Sequence, residues 1–446
     1  MRPPARFRSP VRVVFWSFLA AIAIGTVLLS LPVASAPGRH TSVVDAAFTS
    51  VSATCVTGLI TVDTATQWSL FGKIVILALI QVGGFGVMTL ATLLTMAVTG
   101  RLGLGSTLVA QSQVKSALGA ARKMPQRIAI AMLLSELVIA VVLTLRFALG
   151  HGQSWPSAIW HGIFHAVSAF NNAGFALWTD NLIGVAADAW IIFPLCAAVV
   201  AGGLGFPVYF ELIRRGRLFH PSRWSVHARL TVGGTIGLLI IGTVLFGAYE
   251  WNNPATLGPM DTWGKLINAV AGGVFPRTAG FNTIDYAHAS EGTFALYYVL
   301  MFIGGGSAGT AGGIKISTFL LLAFVIWSEI RGEPHVHIGH RRIGTPTMRQ
   351  ALTVALLGLA LIAAGTAVLL AVTDHDLSIV LFETISAFGT VGVSAGITAG
   401  LPASAKLTLM VMMFCGRIGA ITVASALAVR RRHDQYDLPE ERPIVG

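Results

Sequence analysis

The chain has 446 residues, of which 54% are hydrophobic and 11% charged, and its mean hydropathy is +0.74. Charged residues make up about a quarter of an ordinary soluble domain, so this composition excludes one and points to a single polytopic membrane domain that grows by adding helices. Thirty Lys and Arg against 19 Asp and Glu leave a net charge of +11; in so apolar a chain this marks basic loops at one membrane face, not a surface for nucleic acid.

In chain order, Arg2, Arg6, Arg8 and Arg12 precede an apolar run from Val13 to Leu31. A secretory signal peptide shares that layout, but this run is long enough to span and more membrane sequence follows, so it reads as the first span. Further apolar stretches lie at Leu70–Thr99, Ile128–Leu149, Ala189–Leu212, Leu230–Ala248, Thr293–Trp327, Ala351–Val372 and Leu407–Val429. Together they predict eight spans. Cys55, Cys196 and Cys415 are widely separated in apolar sequence, without disulfide or zinc spacing, and read as packing residues.

Between the two members of each successive pair of spans lies a shorter, mildly apolar segment: Phe48–Leu59, Phe164–Phe175, Val270–Phe281 and Phe382–Val393. Aligned, each carries glycine in the eleventh place, at Gly58, Gly174, Gly280 and Gly392, with intervals of 116, 106 and 112 residues. Near-equal spacing implies four copies of one unit. The predicted fold is therefore an all-α membrane protein of four span–pore-loop–span repeats around one pore, with eight transmembrane helices and four re-entrant half-helices. The repeats run over about 12–99, 127–213, 228–331 and 349–432, and 433–446 form a cytoplasmic tail.

Non-helical backbone survives in hydrocarbon only where protein buries it or where it lines a watery path, so four re-entrant loops argue for a pore. A half-helix entering from outside points its partly negative C-terminal end at the membrane centre, which favours a cation. Glycine then lets successive carbonyls turn towards an axis, where a ring of them replaces the hydration shell of potassium. The candidate ion-binding residues are Val56, Thr57 and Gly58; Asn172, Ala173 and Gly174; Thr278, Ala279 and Gly280; and Thr390, Val391 and Gly392. All are uncharged, so such a filter acts through backbone dipoles.

These loops, with Thr57-Gly58-Leu59, Ser168–Phe175, Phe275–Asp285 and Ser386–Gly392, resemble the filter segments of the Trk/Ktr/HKT superfamily of potassium transporters. From about Arg12 to Arg432 the chain is most similar to the Ktr-type membrane subunits. The resemblance implies a homodimer with one pore per subunit, a lipid-embedded protein of the bacterial cell membrane with both termini cytoplasmic, and potassium as the transported ion. It also implies docking of a separate cytosolic RCK/KTN-type regulatory ring, which carries the nucleotide. No cofactor is expected in this chain, and no Rossmann-like unit occurs in its sequence. Glycine in all four loops goes, by resemblance, with potassium preference; a sodium-preferring or sodium-coupled member stays open as the alternative.

The run Gly304, Gly305, Gly306, Ser307, Gly309, Thr310, Gly312 and Gly313 interrupts the sixth apolar stretch. Ile314 separates its last glycine from Lys315 and no strand precedes it, so it fails as a nucleotide loop. Such a run either packs closely on a neighbour or unwinds to line a cavity. The resemblance implies an intramembrane gate beneath the filter, with Lys315 reaching the cytoplasmic cavity and Arg417 facing the pore below the filter. Arg417 and Glu136 are charges inside apolar sequence and therefore functional candidates; the sequence names no partner for Glu136. His335, His337 and His340 sit beside Arg341 and Arg342 in a polar linker, read as a solvated basic loop in preference to a metal site.

An enzyme would need a nucleophile, acid–base pair or metal cluster within the spans, and Glu136, Lys315 and Arg417 form none. The leader, the linkers Gly100–Arg127, Arg214–Arg229 and Arg331–Arg349, and the tail from Arg430 hold 22 of the 30 basic residues, on the cytoplasmic side of an eight-span arrangement. The opposite face is expected to carry Asp45, Asp63, Asp180, Asp188, Glu250, Asp261, Asp285, Glu291, Asp374, Asp376 and Glu383, against Arg39, Lys73, Arg146, Lys265, Arg277 and Lys406. That mouth would concentrate cations.

Overall fold

The computed structural model describes residues 10–101, 110–213 and 220–429, with side chains over 15–89, 124–213 and 220–419. Helix dominates, because apolar runs without water can satisfy backbone groups only within the segment. The first group is α1 (Pro10–Ser30), α2 (Val43–Cys55), the single turn α3 (Thr64–Gln67) and α4 (Leu70–Arg101). The second is α5 (Ala110–Gly150), α6 (Trp155–Phe170), α7 (Ala189–Leu204) and α8 (Phe206–Ile213). The third is α9 (Val226–Glu250), α10 (Thr262–Val274), α11 (Glu291–Phe302) and α12 (Ile316–Ile330). The last is α13 (Thr345–Val372), α14 (Leu377–Gly389) and α15 (Ala403–Val429).

Among the described residues, Leu70–Thr89, Met124–Gly150, Val226–Glu250 and Thr345–Val372 are each long and apolar enough to cross a membrane, and α7 with α8 forms a fifth, bent candidate. The protein is thus an integral helical membrane protein. The short helices α2, α6, α10 and α14 start at polar positions and end buried. Ser42 and Asp261 cap α2 and α10 by accepting backbone N–H bonds from Asp45 and Gly264, which satisfies donors that a helix start leaves free. At the other end, Ala53, Cys55, Phe170, Val274 and Ala387 are all nearly inaccessible.

The short helices are also the pivots of packing. Helix α2 lies on α1 and α4, α6 on α5 and α7, α10 on α9, and α14 on α13 and α15. Each touches a helix of the preceding group as well: α6 on α4, α10 on α7, α14 on α11, and α2 on α15. That order closes a circle. Phe48, Phe164 and Phe382, at matching places in three short helices, are fully buried. Truncating one to alanine would cost about 3–5 kcal/mol.

Three expectations need correction. The stretch Ala189–Leu212 is not one straight span: it bends by 100° between α7 and α8. Gly205 sits at the bend with φ +87°, and a β-carbon there would lie 2.3 Å from the Ser307 carbonyl oxygen, so the left-handed turn and the close approach both require glycine. The linker Gly100–Arg127 is helical from Ala110 onward, as an extension of α5 carrying Pro125 inside it.

The outer charges are redistributed too. Glu250 and Glu383 are fully buried, and Arg277 is only 7% exposed. Asp63, Asp188, Asp261 and Asp285 are helix caps, so much of the acidic set is structural: carboxylates beside a helix start meet unpaired N–H groups and the positive end of the helix dipole. Lys315 is half-buried and donates to the Ala311 carbonyl at 2.5 Å, an acceptor four residues earlier in its own loop. The linker before α13 forms a small antiparallel hairpin, His337–Ile338 with Arg341–Arg342. The basic leader Arg2–Arg8, residues 214–219 and the tail from Arg430 lie outside the described residues.

Candidate functional site

The C-terminal ends of α2, α6, α10 and α14 are followed by segments with one shared backbone pattern. Val56, Asn172, Thr278 and Thr390 have φ of +57°, +61°, +74° and +48°, and two residues later Gly58, Gly174, Gly280 and Gly392 have +96°, +69°, +71° and +93°. Residues with a β-carbon rarely adopt this region, at a cost of roughly 1–2 kcal/mol each. Four of the six such residues in the described chain occur at this one place. Left-handed backbone at the first and third positions, with the second between them, turns successive carbonyls to the same side.

The amides are held on the other side. Thr57, Ala173 and Val391 donate their N–H groups back to the carbonyls of Ser52, Ser168 and Ser386 at 2.7–2.8 Å. Gly58 and Gly392 donate to the hydroxyls of the same Ser52 and Ser386, both at 3.1 Å. Ser168 donates to the Phe175 carbonyl at 2.7 Å. In the third segment, where Val274 replaces the serine, Ala279 donates to the Phe275 carbonyl at 3.0 Å.

The four segments meet. A β-carbon at Gly58 would lie 2.4 Å from the Ala173 oxygen, one at Gly174 2.7 Å from the Ala279 oxygen, one at Gly280 2.7 Å from the Val391 oxygen, and one at Gly392 2.0 Å from the Thr57 oxygen. Each glycine thus faces the middle carbonyl of the next segment, in the order first, second, third, fourth and back to first. The Thr57, Ala173, Ala279 and Val391 oxygens, from the middle positions, thus each pack against the glycine of a neighbouring segment in this ring. All twelve candidate residues, from Val56 to Gly392, lie in these four segments and are buried.

The glycine-rich run lies against the same ring. Residues 303–315 are irregular between α11 and α12 and are almost wholly buried. Backbone groups in the run find partners on the bent helix: Gly306 N–H donates to Gly203 O at 2.7 Å and Thr310 N–H to Gly202 O at 3.0 Å. A β-carbon at Gly312 would fall 1.9 Å from the Thr390 hydroxyl and 2.8 Å from the Gly389 carbonyl. The Thr310 hydroxyl donates to Phe170 O, at the end of α6, at 3.1 Å. Gly304 is bonded back to Ile314 at 2.9 Å, which closes the run, including Gly305, Ser307, Gly309 and Gly313, into a loop.

Buried side chains brace this assembly. Arg417 donates to the Thr310 carbonyl. Arg277, just before Thr278, reaches the carbonyls of Thr235 and Gly304, each at 3.4 Å, and so joins the third ring segment to the start of the loop. Glu136 accepts from Gln81 at 2.9 Å and from Asn171, just before Asn172, at 3.0 Å. Arg277, Gln81 and Asn171 were not legible as site residues. The signal for two of them is position, since Asn171 and Arg277 both stand three places before the ring glycine.

The class that emerges is a helical membrane transport protein. A family model described as a cation transport protein, TrkH, matches residues 3–437, and the chain belongs to this family. It is 37% identical to the Ktr system potassium uptake protein B of Bacillus subtilis (strain 168), over 94% of this chain and 93% of that one. It is likewise 37% identical to the protein of the same name from Vibrio alginolyticus, over 98% and 94%. The potassium/sodium uptake protein NtpJ of Enterococcus hirae is 34% identical over 98% and 97%. The crystal structure of the potassium transporter TrkH from Vibrio parahaemolyticus shares the fold, with a TM-score of 0.67 at 19% identity, over 96% of this chain and 86% of that one.

Proposed function

We propose that this chain is the membrane subunit of a potassium uptake system, which passes potassium inward down its electrochemical gradient through the four-segment ring. One observation carries the reading: the carbonyls of Thr57, Ala173, Ala279 and Val391 converge from four segments of the same alternating backbone. A ring of neutral oxygens on backbone held from behind can replace the water around a potassium ion. The names of the Bacillus and Vibrio relatives support potassium as the ion.

In this reading the four groups of helices are four repeats around one pore, eight spans with four half-helices, both termini in the cytoplasm. Gly304–Lys315 is the gate, since it is an unwound segment packed beneath the ring, and Arg417 holds it through Thr310. The subunit works as a homodimer in a bacterial cell membrane and is controlled by a nucleotide-binding RCK/KTN-type ring on its basic cytoplasmic face. A potassium uptake-deficient bacterium expressing the chain with such a partner should regain growth at low potassium. Normal growth with a Gly58→Asp, Gly280→Asp double variant would sink the filter assignment. The printed name of the Enterococcus relative, potassium/sodium uptake, favours a second reading in which sodium is carried or coupled; sodium competition in a flux assay separates the two.

A further inference from the structure

Nine places before the ring glycine and three places after it, the second and fourth short-helix units each have a pair of residues joined by a hydrogen bond. In the second unit they are His165 and Leu177, and the Leu177 N–H donates to His165 Nε2 at 3.3 Å. In the fourth they are Glu383 and Ala395, and the Ala395 N–H donates to Glu383 Oε1 at 3.0 Å. The His165 ring can accept there because its Nδ1 lies 2.8 Å from the His161 carbonyl, which places the proton on Nδ1. Glu383 also accepts from the hydroxyls of Ser394 and, at 2.9 Å, Thr398. Both side chains are fully buried.

The first and third units have no such clasp. Thr49 and Ala271 hold the matching places, and the hydroxyls of Thr49 and Thr283 have no hydrogen-bond partner among the described residues. Given the ring order, the clasped segments are the second and the fourth, which stand opposite each other. The backbone that leaves Gly392 is irregular through Gly396, so no helix or strand pairing fixes it. The Glu383 carboxylate supplies what secondary structure does not: it gathers three donors spread over Ser394 to Thr398 at one point.

We propose that His165 and Glu383 are positioning residues that hold the exits of the second and fourth segments and so set the ring along one diagonal. The inference rests on reading the ring as the ion filter. Neither side chain touches the ion. Both act through backbone, and because discrimination between cations of like charge depends on where the carbonyls stand, their loss should show in selectivity more than in total flux.

The test is potassium and sodium flux through the purified full-length chain in liposomes. Wild-type protein that fails to prefer potassium would overturn the filter reading itself. With a selective wild type, Glu383→Leu and His165→Leu are expected to lower the potassium-to-sodium ratio about tenfold, the effect of losing one to two buried hydrogen bonds. Glu383→Gln should stay within about twofold of wild type, since its amide can accept from Ala395 and donate to Thr398. A Glu383→Leu ratio equal to wild type overturns the proposal and leaves the filter reading standing. If that variant does not fold, Thr398→Val decides from the loop side: a reduced ratio supports the clasp and an unchanged one overturns it. Thr49→Val, in an unclasped unit, should leave the ratio unchanged; a fall matching that of Glu383→Leu would mean general disturbance of the short helices and would also overturn the proposal.

Discussion

Arg417 on α15 donates from Nη1 to the carbonyl of Thr310 in the glycine-rich loop, so a charge from α15 is anchored on the loop that packs against the ring. Its Nε and Nη2 have no partner among the described residues. A buried charge with so little compensation is costly, which makes Arg417 a functional candidate. Arg417→Gln should raise potassium influx about tenfold, as expected from removing about 1.4 kcal/mol of repulsion on the ion's path. Influx equal to or below wild type, in reconstituted protein of matched amount, would contradict this.

Gly392 leaves no room for a side chain. Its φ is +93°, and a β-carbon would lie 2.0 Å from the Thr57 oxygen. Gly392→Ala should therefore reduce potassium uptake at least about tenfold while the protein still folds, because backbone strain of roughly 1–2 kcal/mol falls on the ring. Gly400→Ala is the control, since a β-carbon there meets nothing within 4 Å, and it should transport as wild type. Uptake measured in the same cells at matched expression compares the two.

Arg277 joins the third ring segment to the glycine-rich loop through Gly304 and to α9 through Thr235. Removing the guanidinium takes its donor from the buried Gly304 carbonyl, a loss worth about 1–3 kcal/mol, while the Thr235 carbonyl keeps its place in the α9 hydrogen-bond ladder. Arg277→Leu should lower the thermal midpoint in detergent and also shrink the stabilisation that added potassium confers. A lowered midpoint with an unchanged potassium response would mean that Arg277 braces the fold without linking ring and loop.

The Asp188 carboxylate caps α7 and accepts from Arg146 Nε at 2.7 Å and His151 Nε2 at 2.8 Å. Burial pushes its pKa up, but the bonds from Arg146, His151 and the Trp190 N–H outweigh this and hold it below the ordinary carboxylate value. A carboxyl lowered by folding adds stability that is present above its unfolded value, about 3.9, and is lost as pH falls through the folded one. The wild type should be more stable than Asp188→Asn at pH 6, and the gap should close as the pH falls below about 4. Thermal unfolding of both proteins across that range checks the sign; a gap that widens in acid would contradict it.

The ring was legible because one requirement, glycine where backbone must turn left-handed, recurs in fixed register at Gly58, Gly174, Gly280 and Gly392. The matching demand two residues earlier was not, since Val56, Thr278 and Thr390 are types that avoid that region; only Asn172 hints at it. Arg277 looked like an outer-face charge because sequence order puts it beside a re-entrant loop without saying which way it turns. Glu136 has partners 55 and 35 residues away, beyond any local pattern. The bend at Gly205 was hidden in an apolar stretch whose composition suits a straight helix equally well.

The central claim is that potassium is held by the carbonyl ring, and binding measured by calorimetry on the purified full-length chain tests it most directly. Potassium should bind, rubidium should compete with it, sodium should bind at least about tenfold more weakly, and Gly392→Ala should abolish the potassium signal. Potassium binding that survives in folded Gly392→Ala, or sodium binding as tight as potassium in the wild type, would contradict the account.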